Sequence, residues 1–244
     1  MIGIELIVPD WPAPGNVRAC ATTRIGGVSR EEFSSLNLAG HVGDRDDNVA
    51  ENRNRLRAFA GLPAEPRWLR QAHGNRVVDL ASEAMPAAAD ASVSSGPGQV
   101  CAILSADCLP VLLCSDDGKQ IAAVHAGWQG LAGGVIEAAL KKMFCDGSQL
   151  LAWLGPAIGP AAYQVGANVR NVFIEKSQAS AIFFAEDGPG HWKMDLYGLA
   201  RHILEARGVG VFGGDFCTYT ESQRFFSYRR DDRCGRQACM IWLQ

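Results

Sequence analysis

The sequence predicts an α+β (mixed α/β) fold, read as one domain over residues 1–244, and three observations predict it. Hydrophobic residues make up 48% and charged residues 20%, with 6 Trp and 10 Phe, which is the composition of a chain that buries a core. Apolar runs of strand length interleave with helix-length stretches, without the strict βαβ alternation of a doubly wound parallel sheet. A turn signal joins two of the runs as a hairpin, so at least part of the sheet is antiparallel.

The elements follow in order. Val17 to Thr23 reads as a strand, and Ile25-Gly-Gly-Val-Ser29 after it as a turn. Asp46 or Asp47 can cap a polar helix over about 48–60, ended by Gly61 and Pro63. Trp68 to Ala72 and Arg76 to Leu80 read as short strands around His73-Gly-Asn75. Val100 to Ser105, Leu109 to Cys114 and Ile121 to Ala126 are apolar strands, the last two joined by Asp116-Asp-Gly-Lys119. Leu131, Val135, Ala138, Ala139 and Lys142 fall at helical spacing, predicting a helix over about 130–144. A further helix runs from Asp195, a good cap, through Arg207 to Gly208, and Ala238 to Leu243 closes the chain as a strand.

Charge and composition narrow the function. With 23 basic and 26 acidic residues the net charge is −3, so there is no basic field to attract duplex nucleic acid or an anionic membrane. The opening Met-Ile-Gly-Ile-Glu lacks the basic region of a signal peptide, and no stretch approaches the roughly 18 apolar residues of a membrane span, so a cytoplasmic protein is expected. The 8 Cys contain no C-x-x-C and suggest reduced thiols, one or more of which could ligate a metal.

Gly208-Val-Gly210-Val-Phe-Gly213 matches G-x-G-x-x-G, but it follows a helix rather than a strand, so the mechanics of dinucleotide binding are missing. P-loop, nucleophile-elbow and nucleic-acid zinc deaminase signatures are absent. The hairpin is more informative. A two- or four-residue turn at Asp116 to Lys119 sets His125 opposite Pro110, with Cys108 on the same face and diagonal to it, at about 7–8 Å. A thiolate and an imidazole converging on one face are two zinc-type ligands, and a third from elsewhere leaves a position open for water. His73, at a strand end beside Gly74, is available, although a strand Cys or a lone His equally fits a purely structural role.

Thr22-Thr-Arg-Ile-Gly-Gly-Val-Ser29, Ser35-Leu-Asn-Leu38, His41-Val-Gly-Asp44, Gln71-Ala-His-Gly74, Ala106-Asp-Cys-Leu-Pro-Val111, Ala123-Val-His-Ala-Gly-Trp128, Leu154-Gly-Pro-Ala-Ile-Gly-Pro160, Cys217-Thr218 and Phe226-Ser-Tyr-Arg-Arg-Asp231 stand in this order across nearly the whole chain. They resemble the YfiH-type purine nucleoside phosphorylase family, formerly described as multicopper polyphenol oxidoreductases or laccases. The resemblance implies mixed, largely antiparallel sheets flanked by helices, similar to the catalytic domain of certain deamidating toxins that use a Cys and a His. It implies a catalytic zinc on the motif positions that here are His73, Cys108 and His125. It also implies phosphorolysis of adenosine, inosine and 5'-methylthioadenosine to free base and a ribose 1-phosphate, with adenosine deamination as a further activity. Purine nucleosides and inorganic phosphate are then the partners. Two positions depart from the family pattern: Gln129 where Arg usually follows His-Ala-Gly-Trp, and Cys234 where Thr is expected.

Further roles follow from that chemistry. Zinc with three protein ligands activates a water, which is the nucleophile deamination at the purine C6 demands. Asp107, beside Cys108, is the first candidate for general acid or base, although neighbours on a strand point to opposite faces. Phosphate calls for a guanidinium fork, for which Arg24 and Arg229 are candidates, the latter in a segment from Arg224 to Arg236 with five Arg and two Asp. Asn37 could orient a ribose hydroxyl or the purine and His41 could shuttle a proton, or both could serve turns. The older laccase description fails a count: a type 1 copper plus a trinuclear cluster needs roughly ten imidazoles, and the chain has 5 His and no H-x-H. Copper on one site stays possible but is not favoured. Three other functions remain open: a Cys/His amide hydrolase acting on peptidoglycan precursors, with Cys108 as nucleophile; a metal-dependent polyphenol oxidase working from a single site; and a non-catalytic metal-binding protein.

Overall fold

Strand alternation divides the side chains of this protein between three apolar layers, and the computed structural model, which describes residues 3–143 and 149–244, shows where each layer lies. Leu6–Ile7, Val17–Thr22, Gln237–Leu243 and Val100–Ser105 form a four-stranded antiparallel sheet in that spatial order. Gly210–Gly213, Leu150–Leu154, Leu109–Ser115, Ile121–Ala126, Ala91–Ser94 and Val77–Asp79 form a six-stranded sheet, antiparallel at its centre and parallel at both edges. A smaller sheet joins Phe184–Glu186, His191–Met194 and Gln164–Gly166. The mixed, largely antiparallel α+β architecture expected from the sequence is the observed one.

Cys101 and Ile103 of the first sheet pack with Leu112, Cys114, Ile121 and Ala123 of the second, so the two large sheets share a buried layer. The intervening residues face outward under helices. Ala102 and Leu104 pack with Leu56 of the helix Asp46–Ala60, and Val111, Ala122 and Val124 pack under the helices Trp128–Gly133, Val135–Lys142, Ala167–Lys176 and Leu196–Glu205. Among the described residues no helix is long and apolar enough to cross a membrane, and all seven described cysteines are free, Cys145 lying outside them.

The hairpin has the expected register, with Pro110 opposite His125. The helix beginning at Asp195 is capped as expected, the carboxylate accepting from the Gly198 amide at 2.8 Å. Three local expectations need correction. Asp46 and Asp47 lie inside the first turn of their helix, where they complement its positive end, and Arg45 holds the cap position without a side-chain bond. The helix over about 130–144 is two helices, broken at Gly134 with φ +81°; residue 144 lies outside the described residues. Trp68 to Ala72 is no strand. Only Arg67 and Arg70 make single bridges, and the amide of Ala72 donates to a side chain, Asp90, instead of a neighbouring strand.

Candidate metal centre and its cavity

The strand parity that fills the layer between the sheets also aims three polar side chains to one end of it. His125 follows Ile121 and Ala123 on the inner face of its strand. Cys108 precedes Leu112 and Cys114 in the same phase. His73 reaches them from a loop, with φ +59°, a left-handed conformation that costs a non-glycine residue roughly 1–2 kcal/mol. The ligand atoms of His73, Cys108 and His125 all lie within 4.8 Å of one another, the one such His/Cys/Asp/Glu group among the described residues.

Asp90 holds this arrangement together. Its side chain is 1% exposed, and Oδ1 accepts from His125 Nδ1 at 2.8 Å. The same carboxylate accepts the amides of His73 at 2.8 Å, Gly74 at 2.7 Å and Ala72 at 3.1 Å. The Asp90 carbonyl in turn accepts the His125 amide at 2.7 Å. Burial pushes the Asp90 carboxyl up, but the bonds from His125, Gly74 and Ala72 outweigh it and hold it below the usual carboxylate range. An ionised carboxylate only accepts, so His125 Nδ1 carries a proton and Nε2 is the nitrogen that could face a metal. Burial likewise raises the Cys108 thiol, yet His125 and His73 more than reverse this and favour the thiolate; Cys108 and Asp90 raise His125 against the effect of its own burial.

Gly127 sets the last tolerance. A Cβ at this position would stand 2.8 Å from Cys108 Sγ and 3.3 Å from His73 Cδ2. Gly127→Ala should therefore displace the sulfur and weaken metal binding at these three residues by about tenfold or more, measured by competition with a chromophoric chelator; unchanged affinity would show that the sulfur position has slack.

The group opens into a cavity of about 230 Å³ lined by His41, Gln71, Leu104, Ser105, Ala106, Tyr228 and Arg236 besides the three ligand residues. Burial, then Arg236 and Arg53, holds the His41 imidazole below the usual histidine range, so it is neutral near pH 7. Gln71 brackets the backbone of Leu104, donating to its carbonyl at 2.7 Å and accepting its amide at 2.9 Å, and so fixes the His73 loop to a strand.

The other sequence-selected residues sit differently. Asp107 has φ +90° and is buried, its carboxylate accepting the Thr218 hydroxyl at 2.6 Å and the Arg229 amide at 2.7 Å. Arg24 lines a separate, larger groove of about 760 Å³ and donates to the carbonyls of Ser34 and Ser222. The Arg229 guanidinium donates to Gln164 O at 2.7 Å and lies 5.2 Å from the Tyr163 ring centre. Asn37 is fully buried and accepts the Arg236 amide at 3.0 Å. Gln129 is exposed, while Cys234 is buried against Ala106 and Phe226 with its sulfur 3.5 Å from Arg236 Nη1. Sequence reasoning missed Asp90, Ser105, Gly127 and Arg236. Gly127 stood inside the quoted Ala123 to Trp128 motif and Arg236 at the end of the arginine-rich segment.

Comparison with known proteins gives the same grouping. A family model described as multi-copper polyphenol oxidoreductase laccase matches residues 18–244. The chain is 50% identical over 241 residues to the Escherichia coli protein named purine nucleoside phosphorylase YfiH, covering 98% of this chain and 99% of that one. It is 50% identical to a Pseudomonas aeruginosa protein named purine nucleoside phosphorylase, covering 98% of each. The crystal structure of a Neisseria meningitidis protein superposes with a TM-score of 0.93 at 44% identity, covering 98% of this chain and 99% of that one. YlmD from Geobacillus stearothermophilus does so with a TM-score of 0.87 at 29% identity, covering 96% and 94%. With near-complete coverage in sequence and in structure, the chain belongs to the YfiH-type purine nucleoside phosphorylase family, whose older description is multi-copper polyphenol oxidoreductase laccase.

Proposed function

We propose that the chain is a zinc-dependent purine nucleoside phosphorylase that converts adenosine, inosine and 5'-methylthioadenosine to free base and a ribose 1-phosphate, and that also deaminates adenosine. The observation that carries this reading is the convergence of His73, Cys108 and His125 within 4.8 Å at the wall of a cavity, in a chain half identical to proteins named purine nucleoside phosphorylase. Two imidazoles and a thiolate are a zinc-type donor set, and the tautomer that Asp90 imposes on His125 suits a metal ligand. The 5 His of the chain are too few for a four-copper oxidase.

When bound, zinc supplies Lewis acidity and an activated water nucleophile. The protein's own residues do the rest. His41, neutral and in the cavity wall, can accept or return a proton at a purine ring nitrogen. Asp107 acts by position, clamping Thr218 and the first turn of the helix Tyr228–Asp231 beside the cavity. Asn37 fixes the backbone of Arg236, while Arg24 and Arg229 brace loops through carbonyls.

Purified protein incubated with adenosine tests the reading directly. Adenine should form only when phosphate is supplied, and inosine should form with or without it. Adenine released equally fast without phosphate would make the enzyme a hydrolase. The Cys108–His125 pair also suits a thiol hydrolase acting on amides, but a zinc-coordinated sulfur is a poor nucleophile, so one tightly held zinc per chain counts against that alternative.

A further inference from the structure

Ser105 ends the strand Val100–Ser105 in the phase of Cys101 and Ile103, which places it on the inner face, at the same end of the shared layer as Cys108 and His125. An apolar residue would continue that layer. Ser105 is 3% exposed instead, lines the metal cavity, and its Oγ has no hydrogen-bond partner. A buried hydroxyl left unpaired costs about 1–3 kcal/mol, so a partner that enters the cavity is what this position is built for.

Arg236 lines the same cavity. Its Nη1 donates to the carbonyls of Cys234 and Gly235, its amide is held by Asn37, and its guanidinium lies 5.8 Å from the Tyr228 ring centre. No hydrogen bond engages its Nε or Nη2 among the described residues, and no carboxylate pairs with it there. That contrasts with Arg230, which donates to three backbone carbonyls and the Asp231 carboxylate. A guanidinium fixed at one nitrogen with its other donors open, together with a buried unpaired hydroxyl in one small cavity, supplies donors suited to a tetrahedral oxyanion.

We propose that Arg236 and Ser105 bind the inorganic phosphate co-substrate in the metal cavity. The assignment rests on the phosphorylase reading. It moves phosphate recognition from Arg24 and Arg229, neither of which lines this cavity, to residues inside it.

The test is steady-state phosphorolysis of adenosine by zinc-loaded wild type, Ser105→Ala, Arg236→Lys and Arg24→Lys, with direct binding of inorganic phosphate followed by phosphorus NMR line width. Losing charge-assisted bonds should raise the phosphate KM about 10- to 100-fold in Arg236→Lys and about tenfold in Ser105→Ala, with kcat falling less than KM rises. Phosphate-dependent broadening should weaken in both. Zinc content, measured in parallel, should stay near that of wild type, which separates a lost phosphate contact from a disturbed fold. If the wild type needs phosphate to release adenine but Ser105→Ala and Arg236→Lys keep its phosphate KM, the assignment is wrong and the phosphorylase reading stands. The same holds if only Arg24→Lys raises that KM. If the wild type releases adenine without phosphate, the phosphorylase reading fails and takes this assignment with it.

Discussion

His125→Ala and Cys108→Ala should each leave the protein folded but nearly free of zinc, with adenosine turnover falling more than about a hundredfold. Even residues that only support a ligand commonly cost about 10–100-fold in metal affinity or activity, so loss of a ligand exceeds that. Both side chains face the layer between the sheets at its end, His125 on the strand Ile121–Ala126 and Cys108 just before the strand Leu109–Ser115, and the other inner positions of those strands, Leu112, Cys114, Ile121 and Ala123, carry the packing. The fold therefore has little reason to collapse with the site. Elemental analysis of each purified variant beside its rate checks the pair of outcomes. Full zinc occupancy in His125→Ala would remove His125 from the ligand set.

Asp90→Asn carries the second largest effect. The carboxylate accepts His125 Nδ1 and the amides of Ala72, His73 and Gly74, all donors. An asparagine turns one of the two oxygens into a donor, which must then oppose an N–H in a site 1% exposed. A clash of donors there costs about 1–3 kcal/mol of stability and releases His73 from its left-handed backbone, while the His125 ring loses the partner that keeps Nε2 free. Zinc affinity should drop about 10- to 100-fold, and the thermal midpoint should fall with it. Chelator competition and a thermal melt in the metal-free state separate the two effects. A variant that binds zinc as tightly as wild type would show that the tautomer is set elsewhere.

The parts of the site legible in the sequence were those governed by local rules. The Asp116 to Lys119 turn fixes the register that opposes Pro110 to His125, and period-two alternation then puts Cys108 on the same face. His73 came from a motif rather than from spacing, because it reaches the site on a loop. Asp90 escaped notice because Ala91–Ser94, the strand that follows it, is short and reads Ala-Ser-Val-Ser, with none of the bulky alternation that marks a half-buried strand. Its role rests on bonds to residues 72–74 and 125, which no local pattern encodes. The break at Gly134 and the missing strand at Trp68 to Ala72 have the same origin: helical spacing and apolar runs report the buried face, and they do not report a left-handed glycine or a side chain that captures backbone amides.

Asp107 and Arg24 illustrate the converse. Adjacency to Cys108 put Asp107 forward, but its carboxylate faces the Thr218 hydroxyl and the Arg229 amide. A motif position put Arg24 forward, and its guanidinium faces Ser34 and Ser222 over the Phe226 ring. Side-chain direction, not residue type, decided both.

The most direct measurement is a zinc titration of chelator-stripped protein in the presence of adenosine and phosphate, following adenine release. A zinc-dependent phosphorylase built on His73, Cys108 and His125 should be inactive without metal, and its rate should rise linearly and break at one zinc per chain. Full adenine release by the stripped protein, with no response to added zinc, would contradict it.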